Sequence, residues 1–348
     1  MAVKWSWTWG AESIATLQSM GFNFESNSTN AIIPDNTYQY KSVNGPACYS
    51  LKSDGGIWFK PPTSVVSGNQ GCASIAFYGD PTGSIGNQYT MITARDNNQN
   101  KSTYVQILAG GGVRLFVDSV YKASSASTWS WIGQWNVVTL KYNMSGDPWK
   151  AKVFINGVEA ISEQTDARAA AADGDMEVYF ESPFYGDRKG FIGPVILYSA
   201  YDDATPNRIV SRLAPDADVS ETGTWTPDSG ATNFARTAGE FNAAQYTEVT
   251  SPSNGDEVVT NYSANLTSKL GSAPPSVDCV TVHSWSTGLN NTARAEVGDQ
   301  AGTATTVGTT TNISNTSTYA SASATTKPSG GAWGGSDTPK CKYEVVSN

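Results

Sequence analysis

The chain has 348 residues, of which 15% are charged, 39% hydrophobic and 11% aromatic. That is enough apolar material for a packed core, and the length suits two domains of ordinary size. A net charge of −9, from 22 Lys and Arg against 31 Asp and Glu with no clustered basic run, argues against nucleic acid and anionic membrane surfaces as partners.

The opening MAVKWSWTWG carries one lysine and alternating tryptophans but no apolar h-region, so a secretory leader is not expected. No apolar run approaches the ~20 residues that cross a bilayer, so no membrane insertion is expected either. Together these predict synthesis in a cytosol. Residues 11–20 predict a short helix, with Ile14 and Leu17 at i, i+3 spacing and Gly21 as its stop.

From Tyr89 to Tyr201 the pattern is strand, turn, strand. In YVQILAGGGVRLFVDS, Val113, Leu115 and Val117 share one face while Arg114 and Asp118 take the other. That period of two marks a half-buried strand. WNVVTLKYN places Val138, Leu140 and Tyr142 together. KVFINGVEA predicts a hairpin, because Asn156-Gly157 supplies the two positive-φ residues of a type I′ turn. MEVYFES alternates again, with Val178 and Phe180 opposite Glu177, Tyr179 and Glu181. GFIGPVILYSAY then closes the region as a long apolar strand. A helix is expected from Thr205, an N-cap followed by Pro206, with Ile209 and Leu213 on one face.

The expected division is therefore 1–204 for the first domain, 205–220 for a short helix and linker, and 221–348 for a second β-sandwich. In the second half VDCVTVHSW predicts a central strand and CKYEVV the last strand. Between them GTATTVGTTTNISNTSTYASASATTKPSGG is low in complexity. Val307, Ile313 and Tyr319 interrupt its Thr-rich run, which predicts thin, polar-faced strands rather than a disordered tail.

Chemistry-bearing motifs are sparse. The single histidine, His283, lies in a strand beside a tryptophan, and the cysteines Cys48, Cys72, Cys279 and Cys341 have no C-x-x-C spacing. The cysteines are expected to be small buried hydrophobes, with cross-pairing within each half left open. There is no G-x-S-x-G elbow, P-loop or G-x-G-x-x-G, so no cofactor is expected. Asp175, Glu177 and Glu181 share strand parity, as a glycosidase acid pair would. Their spacing matches no sandwich-glucanase pattern, and a solvated outer face is the expected reading, so the chain is expected not to be an enzyme.

Trp135 in GQWNVVTLKYN, the hairpin VFINGVEA and the closing GFIGPVILYSAYDDATPNRI together resemble the laminin-G/concanavalin A-like jelly roll over about residues 1–204. The resemblance implies an all-β, two-sheet antiparallel sandwich used for glycan or protein binding. The second half, with RLAPDADV, TWTPDSGATNFARTAGEF, AAQYTEVTSPSNGDE and TSTYASASATTKPSGGAW, resembles structural modules of tailed-bacteriophage virions. Where those modules continue "P-x-G-x-x-W-T", this chain has PSGGAWGGSD.

These resemblances imply a virion-surface structural or binding protein: a tail-associated or appendage subunit, with a capsid decoration protein and a cellular lectin as alternatives. The implied partners are other virion proteins, identical copies with a trimer favoured, and a host-surface glycan. For the glycan, Tyr121, Trp149 and Tyr185 sit near turns and are the expected ligand-binding rings. Trp135 is expected in the core, and Trp129 and Trp131 are expected to pack. Asp187 could join a calcium site at the sandwich rim, but no dense carboxylate loop accompanies it and no metal is assigned.

Overall fold

The computed structural model describes residues 3–7, 9, 14–26, 33–40, 48–53, 57–62, 68–82, 88–172, 174, 176–181, 190–201, 217–227, 247–249, 255, 257–261, 265–270, 277, 279–286, 292–299, 307–313 and 318–347. It divides into two units, the first lying between Met1 and Val210 and the second formed mainly by Ser211–Asn348, with Ala15–Gly21 among its other segments.

The first unit carries β1 (Val3–Trp7), β2 (Asn23–Ser26), β3 (Ile33–Tyr40), β4 (Cys48–Ser53), β5 (Ile57–Lys60), β6 (Gln70–Gly79), β7 (Gln88–Asp96), β8 (Lys101–Leu108), β9 (Val113–Val117), β10 (Val120–Ser124), β11 (Trp135–Asn143), β12 (Trp149–Ile155), β13 (Val158–Asp166), β14 (Met176–Glu181) and β15 (Gly190–Tyr198). An eight-stranded sheet runs β13-β12-β11-β6-β15-β4-β3, with β1 on β15. A seven-stranded sheet runs β10-β9-β8-β7-β14-β5-β2. The strand pairings are antiparallel, and neighbours such as β6 and β15 are far apart in sequence, as the crossing connections of a jelly roll require.

Period-two alternation decides which side chains are buried. Val113, Leu115 and Val117 of β9, Val105 and Ile107 of β8, and Val178 and Phe180 of β14 are all buried. The eight-stranded sheet contributes Val138 and Leu140 of β11, paired in register with Ile155 and Val153 of β12. Burying each such side chain stabilises the fold by roughly 1.5–3 kcal/mol. At the N-terminus Trp5, Trp7 and Trp9 are buried with Phe22 and Phe59. Trp9 Nε1 donates to the Gly193 carbonyl at 2.8 Å. Position 193 has to be glycine because a Cβ there would lie 2.8 Å from the Trp135 ring.

The expected hairpin is present. Asn156 and Gly157 have φ of 51° and 83° between β12 and β13, and the Asn156 side chain accepts the Val137 N–H at 2.8 Å. Trp135 departs from expectation. It has the parity of Val137, opposite to Val138 and Leu140, so it stands half-buried on the outer face of its sheet, edge-on to Tyr40 at 5.2 Å. Trp131 does pack: it is buried, and its Nε1 donates to the Leu108 carbonyl at 3.1 Å.

Helix α1 covers Ile14–Ser19, with Leu17 buried, and ends where the Gly21 N–H meets the Gln18 carbonyl at 2.9 Å. The second unit continues with β16 (Ala217–Thr222), β17 (Trp225–Pro227), β18 (Thr247–Val249), β19 (Glu257–Asn261), α2 (Leu266–Leu270), β20 (Val280–Ser286), β21 (Thr292–Gly298), β22 (Val307–Ile313), β23 (Thr318–Ala324) and β24 (Lys340–Ser347). Its main sheet runs β16-β19-β24-β21-β22, and β20 pairs with β23 in a sheet of two. Val282, Ala295, Val297, Ala324, Trp333 and Cys341 form the core between these layers.

VDCVTVHSW is therefore not central to a large sheet. The central place belongs to β24, between β19 and β21. The Thr-rich run does form strands, β22 and β23, as expected. The unit boundary falls after Val210 and β16 begins at Ala217, inside the stretch read as linker. The helix expected from Thr205 lies outside the described residues. Cys72 and Cys341 are buried and Cys279 is half-buried, while the side chain of Cys48 is not described.

Candidate functional site

Because the inner positions of β7, β8, β9 and β14 are apolar, the alternate positions of those strands all face outward on one side of the seven-stranded sheet. The register aligns them. Tyr121 of β10 faces Phe116 of β9, Phe116 faces Tyr104 of β8, Tyr104 faces Thr93 of β7, and Thr93 faces Tyr179 of β14. Five neighbouring strands thus present one continuous band, roughly 19 Å across at about 4.8 Å per strand.

The rings of the band are organised by one another. Tyr104 and Phe116 stack with centroids 4.4 Å apart, and Tyr121 meets Phe116 edge-on at 5.7 Å. At the other end Trp58 of β5 meets Tyr179 edge-on at 5.0 Å, with Lys60 Nζ 5.3 Å from the Tyr179 centroid. Tyr121 is 51% exposed, and Tyr104, Phe116, Trp58 and Tyr179 are half-buried. Beside the rings lies a polar row in which Ser124, Arg114, Gln106 and Thr90 are aligned by register. Gln106 Nε2 donates to Thr90 Oγ1 at 3.4 Å, and the Tyr121 and Ser124 hydroxyls are 3.0 Å apart.

Glu177 and Glu181 share this outer face, as their parity predicts, but they differ in state. Lys60 donates to Glu177 at 2.7 Å and the Tyr179 hydroxyl donates to it as well; although burial works against ionisation, these bonds hold its carboxyl below the ordinary value. Glu181 is pushed up to about 7 because its carboxyl is enclosed, against the lowering effect of a hydrogen bond from Thr93 Oγ1 at 3.1 Å. Burial, and then the charge of Glu181, also raises the Tyr104 hydroxyl. Four residues apart on one strand, the two acids have Cα atoms roughly 13 Å apart, and the Glu181 carboxyl leans toward Thr93. Asp175 lies outside the described residues.

Of the rings expected to bind ligand, Tyr121 stands at the open end of this face. Trp149 does not: it is fully buried at the head of β12, with Nε1 donating to the Ala169 carbonyl at 2.9 Å, and no ring face is left for a sugar. Its alternation with Ala151, Val153 and Ile155 puts it in the core. Tyr185 and Asp187 lie outside the described residues. Sequence reading missed Trp58, Tyr104, Phe116 and Tyr179 as a group. The signal was available in their parity, opposite to Val105, Leu115 and Phe180. Among the described residues no group of three or more His, Cys, Asp or Glu side chains could hold a metal ion.

No protein-family model matches the chain, and no curated protein does. Among solved structures it is similar to the carbohydrate-binding module CBM40 of the Ruminococcus gnavus IT-sialidase bound to α2,3-sialyllactose, at 16% identity over 44% of this chain and 90% of that one, with a TM-score of 0.33. It is similar to the receptor-binding domain of botulinum neurotoxin type G at 14% identity over 75% and 72% of the two chains, with a TM-score of 0.39. Domain 4 of the Geobacillus stearothermophilus arabinanase AbnA, in complex with arabinotriose, gives 14% identity over 57% and 93%, with a TM-score of 0.37. Likenesses this distant decide no ligand, and the chemistry below rests on this chain's own residues.

Proposed function

We propose that the chain is a non-catalytic glycan-binding protein that receives a sugar chain across the outer face of its seven-stranded sheet. The observation that carries this is the band Tyr121–Phe116–Tyr104–Thr93–Tyr179, flanked by Gln88, Gln106, Arg114 and Ser124. Half-exposed rings accept the C–H faces of pyranoses, while amides, hydroxyls and a guanidinium satisfy the sugar hydroxyls. The non-catalytic reading is supported by the ion pair that occupies Glu177.

The experiment is a glycan microarray probed with the full chain and with a Trp58→Ala/Tyr121→Ala double variant. Wild type binds a defined subset of glycans, and the variant loses at least about tenfold in affinity while keeping its melting temperature. Wild type that binds nothing, or a variant that binds equally well, contradicts the proposal.

A finer proposal rests on the sequence of the second half. Its resemblance to tailed-phage structural modules supports a virion-surface role, as a tail-associated or appendage subunit acting as a homo-oligomer, with a trimer favoured. Antibody raised against the chain would label intact particles, and light scattering would give a mass well above 36.9 kDa. Particles left unlabelled, with the chain absent from their surface proteins, would end that assignment.

A further inference from the structure

Arg114 stands on this face with an enclosed Nε that has no hydrogen-bond partner among the described residues. It stands on β9 between Ser124 of β10 and Gln106 of β8. Its Nη1 donates to Gln88 Oε1 at 3.0 Å, and the guanidinium carbon lies 5.8 Å from the Tyr121 centroid. Its Nε is enclosed and has no acceptor, and among the described residues no carboxylate is within ion-pair distance. Two other cations of this sheet are neutralised, while a third, Arg95, like Arg114 meets an amide oxygen. Lys60 is neutralised by Glu177 at 2.7 Å and Lys122 by Asp166 at 2.6 Å, and Arg95 turns to Asn100 Oδ1 at 2.7 Å.

A guanidinium offers five N–H donors in a planar fork that matches a carboxylate or a sulfate. Here one donor is used by a neutral amide and the rest meet no acid. Glu181 stands on β14, three strands from β9, with its carboxyl engaged by Thr93 Oγ1. Around Arg114 lie the neutral groups Gln88, Gln106, Ser124 and the Tyr121 hydroxyl, which suit sugar hydroxyls without repelling an anion. The chain as a whole carries −9 and has no basic field to attract acids in general, so selection would be local to this one residue.

We infer that the face selects acidic glycans, with the Arg114 guanidinium receiving a carboxylate or sulfate group of the sugar. This rests on the glycan-binding reading above. The ring of Tyr121 lies against the sugar bearing the acid, and Gln88 holds the guanidinium in place.

The test is a microarray of matched neutral, carboxylated and sulfated oligosaccharides built on several hexose backbones, probed with the full chain and with the Arg114→Gln and Arg114→Lys variants. Wild type prefers an acidic member over its neutral match by about ten- to a hundredfold. Arg114→Gln binds both members at the neutral level. Arg114→Lys keeps part of the preference, because it keeps the charge and loses the fork. Equal binding of neutral and acidic members by wild type overturns the inference and leaves glycan binding standing. An undiminished preference in Arg114→Gln does the same. Wild type that binds no member overturns both.

Discussion

Tyr104 and Phe116 lie ring against ring across β8 and β9, with centroids 4.4 Å apart and planes 9° from parallel. Neither ring belongs to the sandwich core, whose inner positions on these strands are Val105, Ile107, Leu115 and Val117. The pair stiffens the outer face at its centre and holds Tyr121 edge-on at one end.

That pair predicts a measurable coupling. Tyr104→Ala and Phe116→Ala, singly and together in a urea-denaturation cycle, should show an interaction of about 1 kcal/mol beyond the sum of their separate losses. Strict additivity would mean that the rings are neighbours without mutual stabilisation.

Glu181 predicts how stability depends on pH. Its carboxyl is held at about 7 in the folded chain, above its ordinary value of 4.5, chiefly by burial. Between those values the folded state binds more protons than the unfolded one, so stability falls as pH rises. The contribution is complete below about 4.5 and is lost as pH passes through about 7; its size is on the order of 3 kcal/mol. Denaturation at pH 4.5, 6 and 8 should give this slope in wild type and a flatter one in Glu181→Gln. Equal slopes would place the titrating group elsewhere.

Gly157→Val should cost about 2 kcal/mol or more, because a β-branched residue resists the φ of 83° that the turn requires. An unchanged melting temperature would mean that the β12–β13 connection tolerates another turn.

Cys341 should be inert to alkylation in the native state. Burial pushes its thiol up to about 12, leaving almost no thiolate at neutral pH. Cys72 is fully enclosed, whereas Cys279 is half-buried. Iodoacetamide followed by peptide mass analysis should therefore modify Cys279 first, and Cys72 and Cys341 only on unfolding. Early modification of Cys341 would contradict its placement between the sheets of the second unit.

Much of the fold was legible because strand period and turn chemistry are local. Val113, Leu115 and Val117 announce their shared face, and Asn156-Gly157 announces its turn. The same periodicity places Trp135 on the other face of its sheet, packed with Tyr40 and Val137, and Trp149 inside the sandwich. Nearness to a turn misled at Trp149, since burial depends on which face a strand residue takes and not on how close it is to the strand's end. The outer face itself was not legible. Tyr104, Phe116, Tyr121, Tyr179 and Trp58 come from five strands spread over residues 58–179, and the register that aligns them is fixed by long-range pairing. Arg114 was visible as an outward residue, but that it lacks an acidic partner depends on its neighbours across β8 and β10.

The most direct measurement is a crystal structure of the full chain with the best-bound oligosaccharide from the microarray. Sugar density is expected across β10, β9, β8, β7 and β14, with pyranose rings against Tyr121 and Tyr179 and an acidic substituent at Arg114. A sugar seated on the eight-stranded sheet or on the second unit, with this band bare, would contradict it.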